Sequence, residues 1–181
     1  MRRTLFLLAV ALVAGCGTAE AERFVPREAA EPRSTDLSWR EVYPAGPERL
    51  VFLVRTLVIR PGGWSVEIGV RNETGIPFEL ERRPGEPGYG LMLFETADLG
   101  ELENASRNGT LPAVRAATRF TVPPPARLRP RETWATTMSA PGPLPDGTHL
   151  RVTFGPFRAL GEPPEEMEPV VFWITDRSYR L

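Results

Sequence analysis

The chain contains no lysine and no glutamine, and in 181 residues it has one cysteine and one histidine. Without lysine there is no Schiff-base nucleophile and no lysine general base. The one cysteine, Cys16, allows no internal disulfide, so an exported fold built on this chain has to rely on packing. The one histidine, His149, cannot make a typical zinc site unless three other good ligands converge on it. Long apolar runs are also missing. Leu5 to Ala14 would make a helix of roughly 15 Å, half of a ~30 Å hydrocarbon core. Two explanations of the missing lysine stay open: a GC-rich coding sequence, and thermal adaptation, which the lack of glutamine and the 20 prolines also fit.

What is present begins with an address. Arg2 and Arg3 precede the apolar run, and Ala14 and Gly15 supply the small residues of a cut site, the pattern of an export signal. Loss of those two arginines leaves twenty arginines against twenty-three carboxylates, a formal net charge of −3. That balance offers neither a basic field for nucleic acid nor a polybasic patch for anionic lipid. Residues 16–47 are rich in Ala, Glu, Arg and Pro and poor in large apolar side chains, so they read as a flexible tether. Fully extended, its thirty or so residues would reach roughly 90–100 Å. Trp39, Val42 and Tyr43, near its end, suit a first strand docked on the domain.

The run Leu12-Val13-Ala14-Gly15-Cys16 resembles the lipobox of bacterial lipoproteins. The resemblance implies cleavage before Cys16, diacylglycerol on its sulfur and acylation of the new amine. It therefore implies a protein anchored to the cell membrane by lipid on Cys16, on the extracytoplasmic face. The expected organisation is a signal peptide over 1–15, the lipidated N-terminus and tether over 16–47, and one β domain over 48–181.

Period-two patterning dominates that domain. Leu50 to Ile59 is apolar on both faces, interrupted at Arg55-Thr56, which predicts a covered strand with a bulge near Arg55. Trp64, Val66, Ile68 and Val70 alternate with Ser65, Glu67, Gly69 and Arg71, and Pro61-Gly62-Gly63 joins the two runs into a hairpin. Asn72 to Gly75 predicts a turn, its Asn and Gly suited to positive φ. Strands are also expected over Ile76–Leu80, Leu91–Glu95, Thr118–Val122, Glu132–Ser139, His149–Phe157 and Val170–Thr175. Asp98 to Glu103 suits one helical turn, and Asn104 to Gly109 reads as loop. Seven or eight short strands separated by turns predict an all-β antiparallel sandwich. Two stretches sharpen this. Trp64 to Gly75 resembles an early hairpin strand of the immunoglobulin-like domains of bacterial exported proteins, and Leu128 to Phe157, with Leu144-Pro145-Asp146-Gly147, resembles their later half. The resemblance implies a binding or scaffolding module, and the expected partner of a module on that side of the membrane is an envelope protein or polymer. It implies no activity, and the buried disulfide and tyrosine corner of antibody domains are missing.

No catalytic, cofactor or metal residues emerge from the spacing. Ser139, His149 and Asp146 lie near one another in sequence, but no nucleophile-elbow motif accompanies them. Met92, Met138 and Met167 are scattered singly, as core methionines are. Asp98, Glu101 and Glu103 lack the spacing of a calcium loop, and Glu165, Glu166 and Glu168 follow two prolines as a solvated loop would. A metal-handling or hydrolytic envelope protein using His149 and these acidic loops is the competing reading. Trp64 and Trp134 fall in register with apolar faces. Trp173 lies opposite Val170, Phe172 and Ile174, and with Arg177 and Tyr179 it forms the expected ligand surface if that face is open.

Overall fold

The computed structural model of the chain describes residues 27–86 and 88–181. Cys16 and the signal segment lie outside them. In chain order the elements are β1 (Arg33–Tyr43), β2 (Leu50–Arg60), β3 (Gly63–Asn72), β4 (Phe78–Glu79), β5 (Gly90–Phe94), α1 (Leu99–Arg107), β6 (Arg115–Ala116), β7 (Arg119–Phe120), β8 (Arg127–Leu128), β9 (Thr133–Pro141), β10 (His149–Ala159), β11 (Val170–Ile174) and β12 (Tyr179–Arg180). Five of the twelve strands are only two residues long, so seven carry the frame.

Two antiparallel sheets face each other. One runs β1-β2-β3-β9-β7 and the other runs β6-β5-β10-β4-β8, with β11 and β12 paired to β10. This is the all-β antiparallel sandwich that the alternation predicts. The apolar face of β3, Trp64, Val66, Ile68 and Val70, is buried as expected, as are Trp134, Thr136 and Met138 of β9 and Leu150, Val152 and Phe154 of β10. Each of these large side chains contributes about 1.5–3 kcal/mol by leaving water. The interruption at Arg55-Thr56 is a true bulge: the pairing of β2 with β3 shifts between Val54 and Leu57. The extra residue lets Leu57 and Ile59 return to the core. Met92, Met138 and Met167 are all buried.

Three expectations change. Residues 33–43, assigned to the tether by composition, form an eleven-residue edge strand paired with β2. Still earlier, Ala29 bridges Pro145, and the Ala30 amide donates to the Leu144 carbonyl. Period-two burial of Leu37, Trp39, Glu41 and Tyr43 outweighs a polar composition there. The helix is longer than one turn and runs through Asn104 to Arg107. Asp98 caps it by accepting from the Gly100 amide, and Arg107 near its C-terminus donates to the Asn104 side chain. Finally, the Asn72–Gly75 turn uses no positive φ; among the described residues the positive values fall elsewhere, at Ser38, Arg131 and five other glycines.

The Asn72 side chain holds that turn. Its amide donates to the carbonyls of Ile76 and Leu128 at 2.8 and 3.2 Å, and its oxygen accepts from the Thr74 amide and hydroxyl at 2.9 and 2.7 Å. Asn72 is fully buried, so each lost partner would strand a polar group away from water. Asn72→Ala is expected to lower unfolding stability by about 2–4 kcal/mol in urea titrations.

Candidate functional site

The expected ligand surface is occupied by the protein itself. The Trp173 ring stacks on Phe52, centroids 5.3 Å apart and planes within 1°, and sits 5.6 Å from Tyr43. Its indole N–H donates to the Glu41 carboxylate at 2.8 Å. The face it shares with Val171 therefore points between the sheets. The opposite face, Phe172 and Ile174, packs on Met92, Phe94 and Leu102 beneath α1, a second small core outside the sandwich. Arg177 contributes its backbone amide to Glu41, and its side chain stays exposed. The Tyr179 hydroxyl meets the Thr35 hydroxyl at 3.1 Å, with the Arg33 guanidinium 5.5 Å from the ring centroid. Trp173, Arg177 and Tyr179 thus join β11 and β12 to β1 along one side of the sandwich, and the indole is not an open platform.

Beside them lies a buried cation. Arg151 is fully buried and donates to the carbonyls of Thr175 and Ala97 at 2.8 and 2.9 Å, and to that of Asp176. Glu41 takes the amides of Asp176 and Arg177 from the other side, each at 3.0 Å. The loop after β11 is thereby held at its carbonyls by a cation and at its amides by an anion. Burial lowers the Arg151 pKa, and the Asp176 and Glu41 charges oppose that shift. Burial, then the Glu41 and Glu103 carboxylates, raise the Asp176 carboxyl above the usual aspartate range, while Arg151 pulls it down.

The competing chemistry does not assemble among the described residues. His149 is half-buried at the start of β10, paired through its backbone with Phe94 and Arg180. Ser139 belongs to the other sheet, in register with Ser65. Asp98 caps α1, accepting from the Gly100 amide. Among the described residues, no group of three or more His, Cys, Asp or Glu side chains comes close enough to hold a metal ion.

Two clefts flank the loop between β9 and β10. The first, about 680 Å³, is lined by Leu93, Pro112, Pro143, Leu144 and Pro145, with Arg27, Glu95 and Arg115 among its polar groups. Arg27 is ion-paired with Glu95, and Arg115 donates to the Pro143 carbonyl at 2.8 Å. The second, about 620 Å³, lies between the β2–β3 hairpin and β7, where Arg60 and Arg119 stand over Trp64, Ser139 and Pro141. No carboxylate of the described residues lines it. Sequence reasoning missed both because each is assembled from remote segments. The only local signals were Arg60 directly before Pro61-Gly62-Gly63 and the proline run from 141 to 145.

Compared with known proteins, the chain matches no family model, no curated protein and no solved structure.

The raised Asp176 carboxyl gives a signed pH dependence. The folded chain holds this proton more tightly than the unfolded chain, so the group's contribution is favourable at low pH. It is lost as pH rises from the ordinary aspartate value through the raised one. Asp176→Asn is expected to raise Tm at pH 7 and to leave Tm unchanged at pH 3, by calorimetry.

Proposed function

We propose that this chain is a lipid-anchored, extracytoplasmic binding or scaffolding module of the immunoglobulin-like kind, held to the cell membrane through Cys16. The reading starts from the lipobox pattern Leu12 to Cys16. The observation that carries it further is where the chain joins the frame. Ala29 and Ala30 are strapped to Pro145 and Leu144, whose loop separates the two clefts. Eleven peptide steps separate Cys16 from Arg27, a reach of roughly 40 Å at most. That is less than half the reach expected of a tether ending at residue 47. An anchor at Cys16 therefore keeps the cleft-bearing end near the bilayer, and a partner bound there is an envelope protein or polymer close to the membrane surface.

Binding rather than catalysis fits the clefts. Their polar groups are guanidiniums, hydroxyls, carbonyls and one carboxylate, Glu95, which Arg27 already pairs, a set that recognises charge and shape. Both clefts rest on strands and prolines, so their walls are already organised before a ligand arrives.

Metabolic labelling with an alkyne fatty acid tests the anchor. The wild-type protein is expected to carry the label and to sediment with membranes. Cys16→Ser should lose the label and keep the signal segment. An unlabelled wild-type protein, or label retained in Cys16→Ser, overturns the proposal.

A further inference from the structure

The geometry points to the Arg60–Arg119 cleft as a binding site for a phosphate group. This deepens the binding-module reading and rests on it for the existence of a ligand; it does not rest on the anchor at Cys16.

The cleft is built from three segments that the fold pins together. The hairpin residue Gly62 accepts from the Gly142 amide at 3.0 Å, tying the β2–β3 turn to the loop after β9. Gly63 allows that approach: a Cβ there would lie 2.6 Å from the Ala140 carbonyl oxygen, against backbone that cannot swing aside. On the other wall the Thr118 amide donates to the Ser139 carbonyl at 2.9 Å, which brings Arg119 alongside β9. The two arginines therefore reach the same cleft from opposite sides although 59 positions separate them in sequence.

Charge then selects the ligand. Arg60 spends one N–H on the Ser65 hydroxyl, at 3.3 Å, and meets no carboxylate within 4 Å among the described residues; neither does Arg119. The nearest acid along the outer face of β3 is Glu67, and Arg55 already neutralises it at 3.1 Å. Two guanidiniums without counter-ions, in a concave site free of acids, favour an anion. A carboxylate is satisfied by a single arginine fork. Two forks facing one cleft match a dianion with oxygens on several sides, the geometry of a phosphate. Ser139 and Thr118 add hydroxyls to the lining, and about 620 Å³ leaves room for the group that bears the phosphate. That bearer is either a soluble phosphomonoester or pyrophosphate compound or a lipid whose headgroup is a phosphomonoester, and both present the same terminal oxygens.

Two arms of one experiment distinguish the sources. The full-length chain carrying Cys16→Ser, which removes the acyl chain, is titrated with inorganic pyrophosphate and, separately, with phosphatidylcholine vesicles containing phosphatidic acid, whose headgroup is a phosphomonoester, with phosphatidylcholine vesicles alone as the blank for the retained signal segment. Saturable binding in either arm is expected, weakening with added salt. Amide NMR shifts are expected at Gly62, Thr118 and Arg119. Arg60→Ser/Arg119→Ser should bind at least about tenfold more weakly with unchanged Tm, because both side chains are exposed. Arg127→Ser, on the other sheet, should bind as the parent does. A response to pyrophosphate alone identifies a soluble phosphate compound, and a response to vesicles alone identifies a lipid headgroup. No binding in either arm, or undiminished binding by the double variant, overturns the inference. A failed Cys16 labelling experiment would leave this result untouched.

Discussion

A continuous layer of aromatic rings between the sheets holds this protein together. Phe52 of β2 sits at its centre, 5.2 Å from Phe154, 5.7 Å from Phe157 and stacked on Trp173. Tyr43 continues the layer toward β1, and Tyr89, with Trp134 and Phe120, carries it to the β7 side. The layer thus crosses the sandwich from one edge strand of the five-stranded sheet to the other. Each ring pair adds about 0.5–1.5 kcal/mol beyond its buried area. In a chain with one cysteine, near its N-terminus, such a layer supplies the cross-linking that small exported domains often draw from disulfides.

Polar contacts finish what the rings begin, and they act along the sides. Glu41 and Thr35 join β1 to Trp173 and Tyr179, and Arg151 of β10 holds the loop after β11. On the other side the chain crosses between sheets at residues 116–119, where the Ala117 amide reaches Tyr89 and the Thr118 amide reaches Ser139. A long edge strand such as β1 would otherwise invite pairing with another chain. Its bulge between Asp36 and Trp39, the positive φ of Ser38 and its charged side chains disfavour that. The Arg60–Arg119 cleft inherits its rigidity from the closure at residues 116–119, since Arg119 ends the crossing segment.

How much of this was legible depended on whether the signal was local. Strands β2, β3, β9 and β10 are legible from local signals: β3 alternates over eight positions from Trp64 to Arg71, β9 and β10 alternate over shorter stretches, and β2 shows as an apolar run whose break at Arg55-Thr56 marks the bulge. The strand β1 was half hidden: Trp39, Val42 and Tyr43 hinted at it, but its solvent-facing residues gave it the composition of a linker. Alternation placed Trp173 correctly on the face shared with Val171. Which face was covered depended on Phe52 and Tyr43, more than a hundred residues away. The clefts were illegible for the same reason, because Arg60 and Arg119 become neighbours only once β3 and β9 pair. Asn72 was read as a turn former, which it is, though through its buried amide rather than its backbone angle.

The central claim is that the aromatic layer makes the two sheets one cooperative unit. Phe52→Ala tests it most directly, with urea unfolding followed by both tryptophan fluorescence and far-UV circular dichroism. The account predicts a single transition, coincident by the two probes and about 3–5 kcal/mol less stable than the parent. A loss below about 1 kcal/mol, or separate transitions already present in the parent, would contradict it.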